Sequence, residues 1–328
     1  MNSKLNIGII GAGKIVESIH LPVLLNIPDI SVQWIYDKSN ERVQLVSKMY
    51  GVKSIDAEQL DENLEAIDIC LIAVPYGVRD GFIRKCAALK KCIYVEKPFA
   101  TSVKEHQGYC DLFAVPDIAV GFQRRYYPFI ADLKQIISER SFGNIKAIHV
   151  KQGYFQLKGG GGFASDAKLS GGGVIIESAI HTLDQVLQFT NAKRLEVKEV
   201  NSLSKNGIDY DTRFTTTVSS EENTFNVYGH ISCLRNLDNG ISIEFEKGSL
   251  TFQPAVNTVL YNDNNVYHLQ QTATGSSCST VNASFTLFWK DFIDAIKSRS
   301  PNQTNAEASL LTTNWIEQLY QGINNALA

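Results

Sequence analysis

Residues 7–20 read IGIIGAGKIVESIH, which places Gly11-x-Gly13-x-x-Val16 directly behind a short apolar run and at the mouth of an amphipathic segment. A strand that turns into a helix through two glycines is the setting of a dinucleotide site. Gly11 permits the tight turn and Gly13 lets the backbone approach a pyrophosphate. The first amides of the helix, at Lys14 and Ile15, meet that group with a partial positive charge of about half a unit. Val16 stands where a third glycine is usual, so the turn alone is weak evidence, and S-adenosylmethionine enzymes use similar glycine loops.

The next strand supplies the support. Asp37 closes the segment WIYD, 24 residues after Gly13, the spacing at which a carboxylate meets the adenosine ribose hydroxyls. A carboxylate there repels a 2′-phosphate and favours NAD. Lys38, Ser39 and Arg42 follow at once and offer counter-charge, so NADP stays open behind NAD. The plain alternative for Asp37 is a helix cap or a solvated strand end.

Working outward, short apolar runs alternate with amphipathic segments through residue 121, the pattern of parallel strands joined by crossover helices. Strands are predicted at Leu5 to Ile10, Val32 to Tyr36, Ile67 to Ala73, Cys92 to Val95 and Ile118 to Val120. Beyond residue 121 the texture changes to longer β-rich stretches separated by Asn/Asp/Gly turns, with helical patterns near Pro128, from Gly172 to Phe189, from Phe285 to Lys297 and from Ala306 to Ile323. The reading is an α/β Rossmann domain with a doubly wound parallel sheet over residues 1–121. An α+β domain over residues 122–328 follows, with a large, open-faced, mostly antiparallel sheet.

The 328 residues suit two domains of roughly 150, and 31 Lys and Arg against 34 Asp and Glu leave a net charge of −3. That balance offers no basic field for nucleic acid. No stretch approaches the roughly 20 apolar residues of a membrane helix, and no signal-peptide pattern opens the chain, so a soluble cytoplasmic protein is expected. The six cysteines form no CxxC pair and read as reduced thiols.

Two further motifs carry chemistry. Tyr94-Val95-Glu96-Lys97-Pro98 ends a predicted buried strand, where open α/β sheets place their ligand crevice, and Lys97 would point from there toward a nicotinamide. The segment Ser170-Gly-Gly-Gly-Val-Ile-Ile-Glu-Ser-Ala-Ile-His-Thr-Leu-Asp184 spaces Glu177, His181 and Asp184 at i, i+4 and i+7, one face of one helix. A histidine one turn from two acids, behind glycines that allow close approach, suits a proton acceptor. No metal is expected, because the trio lacks a second histidine or cysteine at ligand spacing.

With these motifs in this order, the chain resembles the Gfo/Idh/MocA family of NAD(P)-dependent oxidoreductases over almost its whole length, including Gly121-Phe-Gln-Arg-Arg-Tyr-Tyr-Pro128 and the terminal helices. The resemblance implies hydride transfer between NAD(P) and a secondary alcohol or ketone of a sugar, inositol or nucleotide-linked sugar. It also implies a homodimer or homotetramer formed through the C-terminal sheet. Lys97 and His181 match the family's catalytic lysine and histidine. Glu177 takes the place of a substrate-contacting aspartate, one methylene longer, and Asp184 matches a further acid. Gly172, Gly173 and Arg125 complete the expected substrate wall. Val74, Pro75 and Tyr76, where the family has Thr-Pro-Asn, are expected beside the cofactor together with Glu96 and Arg124. The alternative is a non-catalytic dinucleotide-binding regulator or accessory subunit.

Overall fold

The computed structural model describes residues 4–156, 162–253, 258–263, 265–269 and 281–327. In order, the first elements are β1 (Leu5–Ile10), a single π turn (Val16–His20) running into α1 (Leu21–Leu24), β2 (Ile30–Tyr36), α2 (Asn40–Tyr50), α3 (Leu60–Glu65), β3 (Ile69–Ile72), α4 (Asp80–Ala88), β4 (Cys92–Val95), α5 (Val103–Cys110) and β5 (Ile118–Val120). The five strands pair in parallel in the order β2-β1-β3-β4-β5. Ile7, Ile9, Ile10 and all four residues of β3 are fully buried, as a sheet covered on both faces requires. The strand order reverses between β1 and β3, and a crevice at the carboxyl ends of those strands is where such sheets take ligands. The helices are cut by local chemistry: the Ser39 hydroxyl accepts from the Arg42 amide to start α2, and Gly51, at φ 68°, stops it.

The chain then forms α6 (Pro128–Ser138), β6 (Ile145–Gly153), α7 (Ala167–Ser170), a second π turn (Ile175–Ala179) continuing into α8 (Ile180–Thr190), β7 (Arg194–Lys205), β8 (Ile208–Ser219), β9 (Thr224–Ser232), β10 (Gly240–Phe245), β11 (Gly248–Gln253), β12 (Thr258–Asp263) and β13 (Asn265–Leu269). These strands make one mixed sheet in the order β13-β12-β11-β10-β6-β9-β8-β7, antiparallel except where β6 runs parallel to β9. Residues alternate between its faces. One buries Ile148, Val150, Phe214, Val227, Ile243 and Phe252, with Phe129 of α6 and Phe189 of α8 against Phe252. The other leaves Tyr228 41% exposed.

The last helices are α9 (Val281–Ser298) and α10 (Ala306–Leu327). By contacts, one compact unit comprises Met1–Ala100, Lys104–Gln123 and Thr280–Ser309, and the other Thr101–Val103, Arg124–Ser279 and Leu310–Ala328. The sequence reading gave everything after residue 121 to the second domain, whereas α9 packs with the first unit. Its apolar face carries Phe285, Phe288, Trp289 and Phe292, all buried, and Trp289 stacks on Tyr94 of β4 with ring centroids 4.9 Å apart. The Val120 amide also bonds the Thr304 carbonyl at 2.9 Å, which ties the segment after α9 to the edge strand.

Candidate active site

In the first unit, the turn after β1 holds Gly11 at φ 108°, and a Cβ there would lie 2.6 Å from the Ala73 carbonyl oxygen at the end of β3. At Gly13 a Cβ would meet nothing within 4 Å. The turn is therefore packed tightly beneath and open above, the cradle a pyrophosphate needs, with the first-turn amides of the following helix at its rim. Asp37 reaches the same turn, accepting the Ala12 amide on Oδ2 at 2.7 Å and the Ser39 amide on Oδ1 at 2.9 Å. Each oxygen keeps a lone pair for a ribose hydroxyl. Lys14 and Lys38 are exposed and Ile15 is half-buried. These residues fit a dinucleotide.

Lys97 follows β4 on a stretch of backbone held from two sides. The buried His20 ring accepts from the Trp289 indole at Nδ1 (3.3 Å), which leaves its Nε2–H to donate to Glu96 Oε1 at 2.9 Å. The Tyr94 hydroxyl donates to the same oxygen at 3.0 Å, and Oε2 accepts the Lys97 amide at 3.2 Å. Burial alone would raise the Glu96 carboxyl. The hydrogen bonds from His20 and Tyr94 and the nearby Lys97 charge outweigh it and hold the group below its ordinary range. Glu96, expected beside the cofactor, thus has its carboxylate turned to fixing the Lys97 backbone.

On the other side lies Arg79, 2% exposed. Its guanidinium donates to the carbonyls of Glu96 and Pro98, either side of Lys97, and to Val74 at 2.8 Å. Burial pushes it down to about 10, against the upward pull of Glu96, Tyr109, Tyr76 and Glu105. Val74, Pro75 and Tyr76 are half-buried, and the Tyr76 hydroxyl donates to Glu105 at 2.7 Å.

In the second unit, the segment bearing His181 is capped by a distant strand. Asp209 at the start of β8 accepts the Gly173 amide at 2.8 Å, the Ile175 amide at 3.0 Å and the Tyr320 hydroxyl at 2.5 Å. The carboxylate therefore satisfies amides of the helix start and meets the positive end of its dipole. Gly172 and Gly173 make room for it: a Cβ on Gly172 would lie 2.0 Å from the Tyr320 hydroxyl oxygen, and one on Gly173 2.1 Å from the Asp209 carbonyl oxygen. The face of these glycines where side chains would stand is occupied by Asp209 and Tyr320.

The expected stripe of Glu177, His181 and Asp184 is not one environment. The π turn, closed by the Ile180 amide on the Ile175 carbonyl, interrupts the regular α repeat. Glu177 is exposed, His181 is 8% exposed and Asp184 is 1% exposed. π turns recur at functional sites. Asp184 is closed by Arg125, Nε to Oδ2 at 2.8 Å and Nη2 to Oδ1 at 2.6 Å, with the Thr312 hydroxyl at 2.8 Å. Both had been expected to touch substrate. Here the two side chains are buried and paired with each other. Arg124 is half-buried and makes no ion pair among the described residues. Burial lowers its pKa, and Tyr127 and Tyr154 pull it back up.

The sequence around the Gly159-to-Gly162 run also offers Tyr154, Phe155, Lys158, Phe163 and Asp166 for substrate contact; Tyr154, Phe155 and Phe163 are exposed, and Asp166 caps α7 through the Lys168 amide. Lys158 lies outside the described residues. Sequence reasoning missed His20, Arg79, Asp209 and Tyr320. Only the long-range fold brings them to the motifs, although the helix start at Gly172 and Gly173 did call for a cap.

Two family models match the chain: "Oxidoreductase family, NAD-binding Rossmann fold" over residues 5–118 and "GFO/IDH/MocA C-terminal domain" over residues 130–251. Among curated proteins, glucose-6-phosphate 3-dehydrogenase of Bacillus subtilis is 30% identical over 44% of this chain and 41% of its own length. The scyllo-inositol 2-dehydrogenase (NAD(+)) of the same organism is 28% identical over 63% and 58%. The chain thus spans about half the length of these relatives. Among solved structures, aldose-aldose oxidoreductase from Caulobacter crescentus superposes with a TM-score of 0.83 at 15% identity, covering 98% of both chains. GenD2 from gentamicin A biosynthesis, solved with NAD, gives 0.78 at 14% identity, covering 99% of this chain and 95% of its own. At such identities the likeness is one of fold.

Proposed function

The chain belongs to the GFO/IDH/MocA oxidoreductase family, and from that premise we propose that it is an NAD-dependent dehydrogenase acting on a secondary alcohol of a sugar, sugar phosphate or inositol. The observation that carries the reading is the double anchoring of Lys97, by Glu96 and Arg79, at the carboxyl end of β4 in a sheet whose glycine turn fits a dinucleotide.

Bound NAD supplies a hydride acceptor at nicotinamide C4. The chain's own part is to hold and move a proton. The Lys97 ammonium donates to the substrate hydroxyl oxygen and favours its alkoxide, and the His181 imidazole takes the hydroxyl proton; reduction of a ketone runs the same steps in reverse. Glu177, exposed on the π turn before His181, offers a carboxylate to neighbouring substrate hydroxyls. Sugar phosphates enter the proposed class because the half-buried Arg124 lacks a carboxylate partner among the described residues, and charge-assisted bonds to phosphate suit such a group.

NAD is preferred over NADP because the Asp37 carboxylate stands at the end of β2. Assembly is proposed as a homodimer or homotetramer through the exposed sheet face around Tyr228, on which His149 stacks with ring centroids 5.1 Å apart. Among the described residues no helix is long and apolar enough to cross a membrane.

The test is mass spectrometry of small molecules released from the purified protein, followed by reduced-nicotinamide absorbance against a panel of sugars, sugar phosphates and inositols. Copurifying or titrated NAD, with reduction by at least one polyol, is the expected result. A chain that binds no dinucleotide and oxidises none of the panel is not this enzyme.

A further inference from the structure

Around the glycine turn the chain carries three charged side chains whose arrangement goes beyond a dinucleotide fit. Glu17, on the π turn before α1, lies between two cations. Its Oε1 is 2.9 Å from the Lys14 ammonium, and its Oε2 accepts from the Arg42 guanidinium. Arg42 also donates through Nε to the Ala12 carbonyl at 2.7 Å. The Tyr50 hydroxyl bonds the Glu17 carbonyl at 2.6 Å and ties α2 to the same turn. The Glu17 side chain is 13% exposed, Arg42 30% and Lys14 79%.

Ala12 is the reference point: its amide goes to Asp37 and its carbonyl to Arg42. Arg42 and the carboxylate expected to receive the adenosine ribose are therefore bonded to the same residue. A 2′-phosphate on that ribose needs an unspent cation there, above all a guanidinium able to form paired hydrogen bonds. In this chain the guanidinium is spent on Glu17 and on a backbone carbonyl, and the nearby ammonium on the same carboxylate.

We propose that Glu17 is a specificity-determining residue, which withdraws Arg42 from the adenosine ribose and so sets the chain's choice of NAD over NADP. The inference rests on the dinucleotide reading above and deepens it. Asp37 supplies the repulsion and Glu17 removes the compensating charge, so discrimination against the 2′-phosphate has both an attractive and a repulsive source.

Calorimetric titration with AMP and with adenosine 2′,5′-bisphosphate tests it without turnover. In Glu17→Gln, bisphosphate affinity should rise about tenfold while AMP affinity stays within about twofold, and the gain should shrink as salt is added. Adding Arg42→Ala to that variant should remove most of the gain. Arg42→Ala alone should give no such gain, because it takes a cation away and leaves the Glu17 carboxylate without its guanidinium partner. An unchanged bisphosphate-to-AMP ratio in Glu17→Gln, or a gain that survives in Glu17→Gln/Arg42→Ala, would overturn the role of Glu17 while leaving the NAD reading intact. Wild-type protein that binds neither AMP nor NAD would overturn both.

Discussion

Arg125 and Asp184 form a two-point ion pair, with hydrogen bonds of 2.8 and 2.6 Å, in a place where their side chains are 2% and 1% exposed. A buried pair of this kind adds little net stability over an apolar pair, but removing one partner strands the other's charge. Asp184→Ala should therefore lower unfolding stability by about 3–5 kcal/mol, read as the urea midpoint. Asp184→Leu combined with Arg125→Met should recover much of that loss. Equal destabilisation by the single and the double changes would show that the pair is not the source.

Arg79 bonds the carbonyls of Glu96 and Pro98, the residues on either side of Lys97. Arg79→Lys keeps one positive charge and loses the fork. Because a displacement of about 1 Å in a reacting group costs on the order of 100-fold, turnover should fall by about 10- to 100-fold while NAD affinity changes by less than about threefold. A fall in NAD affinity with turnover at saturation preserved would place Arg79 in the cofactor site instead.

His106 on α5 is fully buried, with Nε2 2.8 Å from the Ala306 carbonyl. Burial pushes its imidazole down to about 4, and the backbone hydrogen bond opposes this only in part. The unfolded chain takes up a proton there near pH 6.5 and the folded chain only near pH 4. The contribution is therefore intact above about pH 6.5 and declines as pH falls toward 4, by about 3 kcal/mol in all. His106→Gln should flatten this acid limb, measured as urea unfolding between pH 7 and 4.5. A variant with the wild-type slope would assign the acid sensitivity to other groups.

What was legible in the sequence was what depends on neighbours along the chain. β1, β4, β5 and α2 begin and end where their own residues dictate, as Ser39 and Gly51 do for α2. The β-rich pattern read from the residues alone begins at Phe214, but β8 starts at Ile208. Its first turnlike residues include Asp209 and Asp211, which bond the Gly173 and Ile175 amides and Ser232, His230 and Arg235 respectively. The same limit applies to the site. Spacing put Glu177, His181 and Asp184 on one helix but gave no sign of the π turn, of Arg125 closing on Asp184, or of a tryptophan from α9 setting the His20 tautomer that fixes Glu96.

The proposed mechanism gives Lys97 and His181 parts in one proton transfer, and paired variants test it. Hydride transfer to NAD should be followed in single turnovers with the best polyol substrate, alongside NAD affinity by titration. Lys97→Ala and His181→Ala should each slow transfer by about 10²- to 10⁴-fold with NAD affinity for His181→Ala unchanged, and the double variant should lose little more than the worse single one. Wild-type transfer in either single variant, or fully additive losses in the double, would contradict it.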